Sequence, residues 1–415
     1  MRKIIIFFII LTIIGTVSLV AINLRKDSSH TDDTSEAEIS QPIDLSGLDS
    51  YQPAGSMATV TDVGAVDAAA SQSFTISMNF VGDIMLAGND TATSSIDAMA
   101  NSQPSTYFFE NIRDYFLNDD ITIANCENVF SDNDNLVKTD KGEAAALEQY
   151  NNAVAEYNSA VALAQQTGTT VSMEKPEYTF RAFWFRSHAA TAKLLPENGV
   201  DVVSIDNNHT YDFGTDGNMD TRAALDVAGV DWGKDGKIVY KEINGFKIAF
   251  VFGSMYSAGA EQAMLVDLEE ANANSDYQVV YFHGGEEKVH AYEDWKQASC
   301  HNLVDHGADL VIGSHPHVLQ PMETYNGANI VYSLGNFIFG GNNYPENRTL
   351  IYNQTLTITQ DAATGGFTVA NTDVTLVPCY VYTGESNNYQ PAVIENETDK
   401  QLVIDFMQGK RELPY

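Results

Sequence analysis

Phe74, Ile76, Met78 and Phe80 alternate with polar residues, the period-two pattern of a half-buried strand, and they mark the start of a folded domain near Ser73. Short β-rich runs then recur at Ile121 to Ala124, Asp201 to Ile205, Lys247 to Phe252, Gln278 to Phe282, Asp309 to Ile312 and Asn329 to Ser333. Helix-like stretches such as Asp220 to Ala228 and Ala291 to His306 separate them, and that alternation predicts an α/β domain. Toward the end, Thr355 to Ile358 and Phe367 to Leu376 alternate with no helix between them, which predicts added antiparallel strands. A final helix starting near Asp399 should carry Leu402, Val403, Phe406 and Met407 on one face.

One segment has a different period. From Ala144 to Ala164 the positions Leu147, Tyr150, Val154, Tyr157, Val161 and Ala164 step by three and four, a heptad seam on a helical insertion spanning about 140–170. A helix packed on the domain surface accounts for that seam. A lid, or a docking element for a membrane partner, is the sharper expectation.

The N-terminal end follows neither pattern. Ile4 to Leu24 is almost unbroken apolar sequence between Arg2-Lys3 and Arg25-Lys26, close to the roughly 20 residues that span a bilayer. Residues 1–26 are therefore expected to be a transmembrane signal anchor, with a cleaved signal peptide as the alternative. Residues 27–72 contain nine acidic residues, no Lys or Arg and no sustained periodicity, so they read as a disordered acidic stalk. That leaves 73–415 as the folded domain, expected on the outer side of a single-pass cell-membrane anchor.

Charge and composition narrow the functions. The 415 residues are 44% hydrophobic, enough for a full core, and 22 Lys+Arg against 56 Asp+Glu give a net charge of −34. A polyanion of this density repels nucleic-acid phosphates, so nucleic acid is excluded as a main partner. Cys126, Cys300 and Cys379 lie far apart with no CxxC spacing, which supports neither a zinc finger nor a disulfide scaffold.

Candidate chemistry sits at one repeated place, just after the predicted strands. Asp83 follows the first, Asn125 and Glu127 the second, and Asn208, His209 and Asp212 the third. His283 and Glu286, then His315 and His317, then Asn336 follow later ones. In an open α/β sheet ligands bind beyond the carboxyl ends of the strands, so residues far apart in sequence can converge there. A single Gly-Asp after a strand is most often a turn, and Asn207-Asn208-His209 could be a polar loop with a helix cap. His315-Pro316-His317 is stronger, because i and i+2 of an extended segment project to the same side. His188, His290, His301 and His306 fall in helix-like stretches and read as ordinary solvated or core histidines. The mixture of Asp, Glu, Asn and His, without a chelating thiolate pair, suits one or two divalent ions: Mn, Zn, Fe or Mg. Such ions polarise a phosphoryl or acyl oxygen.

Gly82-Asp83-Ile84-Met85-Leu86, Ala124-Asn125-Cys126-Glu127, Asn207 to Gly214, His283-Gly284-Gly285-Glu286, Gly313 to Gln320 and Tyr332 to Phe337 together resemble the CapA family of poly-γ-glutamate capsule biosynthesis proteins, a branch of the calcineurin-like metallophosphoesterases. The resemblance covers about 75–340. It implies a four-layer α/β sandwich and an envelope protein handling an anionic exopolymer or its synthase complex, either as a hydrolase or as a non-catalytic scaffold. It further implies Asp83 and His317 as ligands of a first metal, Glu127 as the bridging carboxylate, and Asn208, His283 and His315 as ligands of a second. His209 would contact substrate and protonate the leaving group, with Asp212 orienting it. Two positions depart from the superfamily: Met85 stands where a ligand histidine is expected, and Gly284 where a tryptophan is common.

Overall fold

The computed structural model describes residues 71–89, 95–171, 173–178, 182–340 and 347–413. The expected anchor (1–26) and almost all of the expected stalk (27–72) lie outside them. Among the described residues no helix is long and apolar enough to cross a membrane.

Two sheets form the body. The first runs, edge to edge, through strands Ala392–Val393, Phe367–Tyr380, Arg348–Gln360, Gln72–Ile84, Ile121–Cys126, Val202–Ser204 and Asp231–Gly233. The last four are mutually parallel and the others antiparallel. The second sheet runs Leu319–Tyr325, Ala328–Leu334, Leu310–Ser314, Tyr277–His283, Phe246–Ser254 and Val239–Ile243, with four parallel strands inside and an antiparallel strand at each edge.

The alternation that marks the first strand explains the packing. Ile76, Met78 and Phe80 enter a core shared with Phe250, Phe252 and Tyr281 of the other sheet, so the two sheets lie face to face. Outside the first sheet, helices Ser95–Ser102, Arg113–Leu117 and Gly214–Ala228 lie near a second apolar cluster that includes Ile96, Phe116 and Leu225. Outside the second, helices Gln262–Asn274 and Asp294–Asp305 bury Met264, Leu268, Cys300 and Leu303. The layers therefore run helix, sheet, sheet, helix. The last helix is Glu397–Met407, starting two residues before the expected Asp399 because Asn396 caps it by accepting from the N–H groups of Thr398 and Asp399. Its Leu402, Val403, Phe406 and Met407 close one end of the core between the sheets.

One crossing joins the sheets at their carboxyl ends. After strand Ala328–Leu334 leaves the second sheet, Asn336–Ile338 pairs in parallel with Gln72–Ile84 of the first, Asp83 opposite Asn336. Asp83 N–H donates to Gly335 O at 3.0 Å. A Cβ on Gly82 would lie 1.8 Å from that same oxygen, so only glycine permits the approach.

The heptad segment is a helix, Glu143–Thr167. Of its seam only Ala164 is buried, and Leu147 is 45% exposed. Tyr150 meets Tyr178 edge to face at 5.4 Å. Cys126, Cys300 and Cys379 are all buried and free.

Candidate metal centre

The carboxyl ends of the parallel strands deliver their polar residues to one buried point. Asp83, Asn125, Glu127 and His283 are fully buried, and His209, His315 and His317 nearly so. Asn125 is the hub: its Nδ2 donates to Asp83 Oδ1 at 2.8 Å and lies 3.1 Å from His283 Nδ1. Its Oδ1 accepts from Asn207 Nδ2 at 3.0 Å, tying the loop that carries Asn208 and His209 to the neighbouring strand. Asn207 carries no signal in the sequence for this role, because an amide beside two candidate ligands has no periodic pattern that would single it out.

Each imidazole is oriented from behind. His317 Nδ1 is 2.7 Å from Asn336 Oδ1 and 3.3 Å from Asp83 Oδ2, so it is the donor nitrogen and Nε2 is left to face inward. His209 Nδ1 is 2.8 Å from Asp212 Oδ2, which also accepts from Phe185 N–H at 2.8 Å. His283 Nε2 lies 3.0 Å from both Asn208 Oδ1 and His315 Nδ1. His315 and His317 do not sit in the extended segment the sequence suggests. Both have left-handed backbones (φ +98° and +58°), a conformation costly for residues with a Cβ and characteristic of functional sites.

Glu127 Oε1 stands at the middle of this arrangement. It is buried without a hydrogen-bond partner, and the Nε2 atoms of His209, His283 and His317 each lie 3.9 Å away. An unsatisfied buried carboxylate oxygen costs more than 1 to 3 kcal/mol, the rough penalty for an unmade neutral bond, unless a cation satisfies it. Two groups have ligand atoms within 4.8 Å of one another: Asp83, Glu127 and His317, and Glu287, His315 and His317. Hard oxygens and imidazoles in this ratio suit a divalent ion. Glu287, although exposed, is the carboxylate of its loop within reach, whereas Glu286, also exposed beside it, is in neither group.

Electrostatics agree with a cation-binding role. Burial, with Asp83 beside it, pushes Glu127 well above the usual carboxylate range. Burial also opposes the charge of Asp83, but the His283 and His317 imidazoles outweigh it and hold this carboxyl well below that range. Burial, followed by the neighbouring imidazoles of His283 and His317, pushes His315 down to about 2. Neutral imidazoles are the metal-binding form.

The two departures from the superfamily pattern have structural consequences. Met85 is buried in a small apolar cluster with Ala87, Phe185 and Phe339. A Cβ on Gly284 would lie 1.6 Å from Met255 O, so no larger residue fits there without moving that backbone. The remaining histidines among the described residues have other partners: His188 pairs with Asp132, His301 with Glu323, and His290 and His306 with the Leu319 and Asn302 carbonyls.

Both ends of the helical insertion reach the site, which its sequence pattern does not announce. Lys141, just before the helix, places Nζ 2.5 Å from Asp212 Oδ1, and Thr139 N–H donates to Asp212 O. After the helix, Trp184 Nε1 donates to Thr139 O at 3.0 Å, and the Phe185 ring lies 4.5 Å from that of His209.

Comparison with known proteins agrees with the sequence motifs. Residues 144–341 match the family model described as bacterial capsule synthesis protein PGA_cap, a span that holds His209, His283, His315, His317 and Asn336 but begins after Asp83 and Glu127. The chain is 26% identical over 365 residues to the capsule biosynthesis protein CapA of Bacillus anthracis, covering 80% of this chain and 74% of that one. It is 32% identical over 176 residues to the PGA biosynthesis protein CapA of Bacillus subtilis, covering 37% of this chain and 46% of that one. A solved structure titled as a novel phosphatase from Mycoplasma pneumoniae aligns over 74% of this chain and 95% of its own at 12% identity, with a TM-score of 0.37, too low to carry an argument.

Proposed function

Since the chain is a homologue of CapA capsule proteins, we propose that it serves in the synthesis of an anionic capsule polymer of the poly-γ-glutamate kind, as a membrane-anchored extracytoplasmic protein whose buried cluster is a metal-dependent hydrolytic centre of the calcineurin-like type. The observation that carries the metal reading is the orphaned Glu127 Oε1 ringed by three imidazole nitrogens. The apolar run before residue 26 supports anchoring, and the acidic stretch after it supports a spacer.

Asp83, Glu127 and His317 would hold one ion; Glu287 and His315, with His283 and Asn208 beside them, would hold a second. A bound divalent ion supplies Lewis acidity toward a phosphoryl or acyl oxygen. The chain's own residues do the rest. Asp212 fixes His209 with Nδ1 as donor, so Nε2 faces the cluster and the cleft beside it, where the imidazolium form can give its Nε2 proton to a leaving oxygen. Phe185 shields that imidazole from water on one side. Burial lowers the proton affinity of His209, and Asp212 offsets part of that effect.

Elemental mass spectrometry of the full-length chain, wild type against Glu127→Gln and His317→Ala, tests the centre. One to two equivalents of divalent metal in the wild type and loss of metal in both variants are expected, together with hydrolysis of generic phosphoesters that His209→Ala abolishes. Wild-type protein that holds no metal and cleaves nothing leaves a scaffold role, for which the exposed Leu147 and Leu163 on the inserted helix are the best support.

A further inference from the structure

A cleft of about 530 Å³ opens directly beside the cluster. Its polar end is formed by His209, His317, Glu287 and Lys288. The rest of its wall is mostly apolar and largely aromatic, with Met85, Phe183, Phe185, Phe339 and Tyr389, and Asn89 adds one further polar side chain. This wall runs without a break up to the imidazoles. Phe185 is 4.5 Å from the His209 ring, Phe339 is 4.9 Å from the His317 ring, and Phe183 stacks on Phe185 at 6.0 Å.

Met85 is central to this surface. At the position where the superfamily pattern would put another imidazole, this chain has a thioether packed against Ala87, Phe185 and Phe339. The exchange removes a ligand and adds wall. Thioethers and aromatic faces attract one another and favour apolar guests.

Charge separates the candidate occupants. One Lys and one Glu line the cleft, in a chain whose net charge is −34. Beyond the metal-ligating residues Lys288 is the one basic side chain along the cleft, so past the cluster a run of linked carboxylates would meet a single cation and lose the hydration of every other charge. An uncharged organic group would instead bury its surface on five large apolar side chains. The volume lies within the roughly 300–1,000 Å³ typical of small-molecule sites.

We propose that the cleft binds an apolar organic group esterified to the reacting phosphate, so that the substrate is an amphiphile with its polar head at His209 and His317 and its apolar body against Met85, Phe185 and Phe339. The inference rests on the hydrolytic reading of the cluster and names its substrate class. In the reaction a water oxygen forms a new P–O bond, the P–O bond to the apolar alcohol breaks, and the leaving oxygen takes up a proton. The products are inorganic phosphate and the free alcohol. The capsule polyanion is not the ligand of this cleft.

Calorimetric titration of the full-length, metal-loaded chain with methyl, butyl, hexyl and phenyl phosphate, and with a short γ-linked glutamate oligomer, tests the proposal. Affinity should rise about three- to fourfold for each methylene buried, and the oligomer should bind no better than methyl phosphate. A hexyl or a phenyl optimum distinguishes a chain-like from a planar group. A side chain at 340 would point between Met85 Cε, 3.4 Å from the added Cβ, and Tyr389 Cε1, 3.8 Å away. Gly340→Val should therefore weaken hexyl phosphate at least tenfold and leave methyl phosphate unchanged. Phe183→Ala, at a half-exposed position that can be truncated without unfolding the core, should weaken hexyl and phenyl phosphate alone. A flat series, or an oligomer that outcompetes hexyl phosphate, in protein that retains its metal overturns the cleft assignment and leaves the hydrolytic centre standing. A rising series in protein that retains no metal supports the cleft and removes the hydrolytic centre.

Discussion

The buried cluster and the inserted helix Glu143–Thr167 are built in opposite ways. The cluster collects side chains from strand ends between Asp83 and Asn336, each cross-linked to the next, with its central groups fully buried. The helix is one continuous segment whose pattern is complete within 25 residues and which buries a single side chain. A change in the first disturbs several partners at once, whereas a change in the second disturbs a solvated surface. Energy and chemistry are concentrated where sequence separation is greatest. The two regions meet at Asp212, where Lys141 at the root of the helix touches the residue that orients His209.

The comparison can be broken most forcefully at its centre. Asp83→Asn keeps the volume but removes the charge that His283 and His317 face, and it should lower metal content at least tenfold and abolish hydrolysis, read by elemental analysis and phosphoester assay. Lys141→Met acts at the junction. It should lower kcat by about tenfold while metal content stays unchanged, because general acid–base groups contribute on the order of 10² to 10⁴ in rate and this change only loosens one of them. An unchanged kcat would show that the helix root has no influence on the site.

A third test uses a carboxylate at the other end of the same parallel strands. Burial pushes Asp119 up to about 7, against 3.8 for the free side chain, and Asp201 adds to the effect. A raised folded-state value means that the contribution of this group is fully present below about 3.8 and is lost as pH rises through about 7. Asp119→Asn should therefore flatten that loss, and the variant should exceed wild type at pH 8 by on the order of 1 kcal/mol once solvent screening is allowed for. Denaturant titrations at pH 5 and pH 8 measure it. The smallest effect belongs to the helix surface: Leu163→Ala, at a position 61% exposed, should change stability by no more than about 0.5 kcal/mol. A larger loss, or loss of a co-purifying partner, would mark that face as an interface.

Much of this was legible along the chain, for reasons that differ by element. The first half of strand Gln72–Ile84 and the second half of Arg348–Gln360 are visible because burial on one face imposes a period of two there. The inserted helix is visible because its seam imposes a period near 3.5. Helix starts were read less well: Gly214–Ala228 begins six residues before the expected Asp220, since its first turn is polar and glycine-rich and leaves no apolar stripe. Asn208, His209, His283, His315 and His317 stand out as residues after strands, but Glu286 and Glu287 are adjacent and chemically alike. Only the path of the loop turns Glu287 toward His315 and His317.

By itself, then, the sequence determined the α/β alternation, the strongly acidic character, and the set of polar residues waiting at strand ends, because each follows from local period, summed charge or position relative to a strand. Tertiary structure alone decided that Asn336–Ile338 crosses to the first sheet, that Glu127 Oε1 is left without a donor among three imidazoles, that Lys141 reaches Asp212, and that Met85 becomes wall. Those outcomes depend on which distant residues share a few ångströms of space. That is fixed by how two sheets pack, and no period along the chain encodes it.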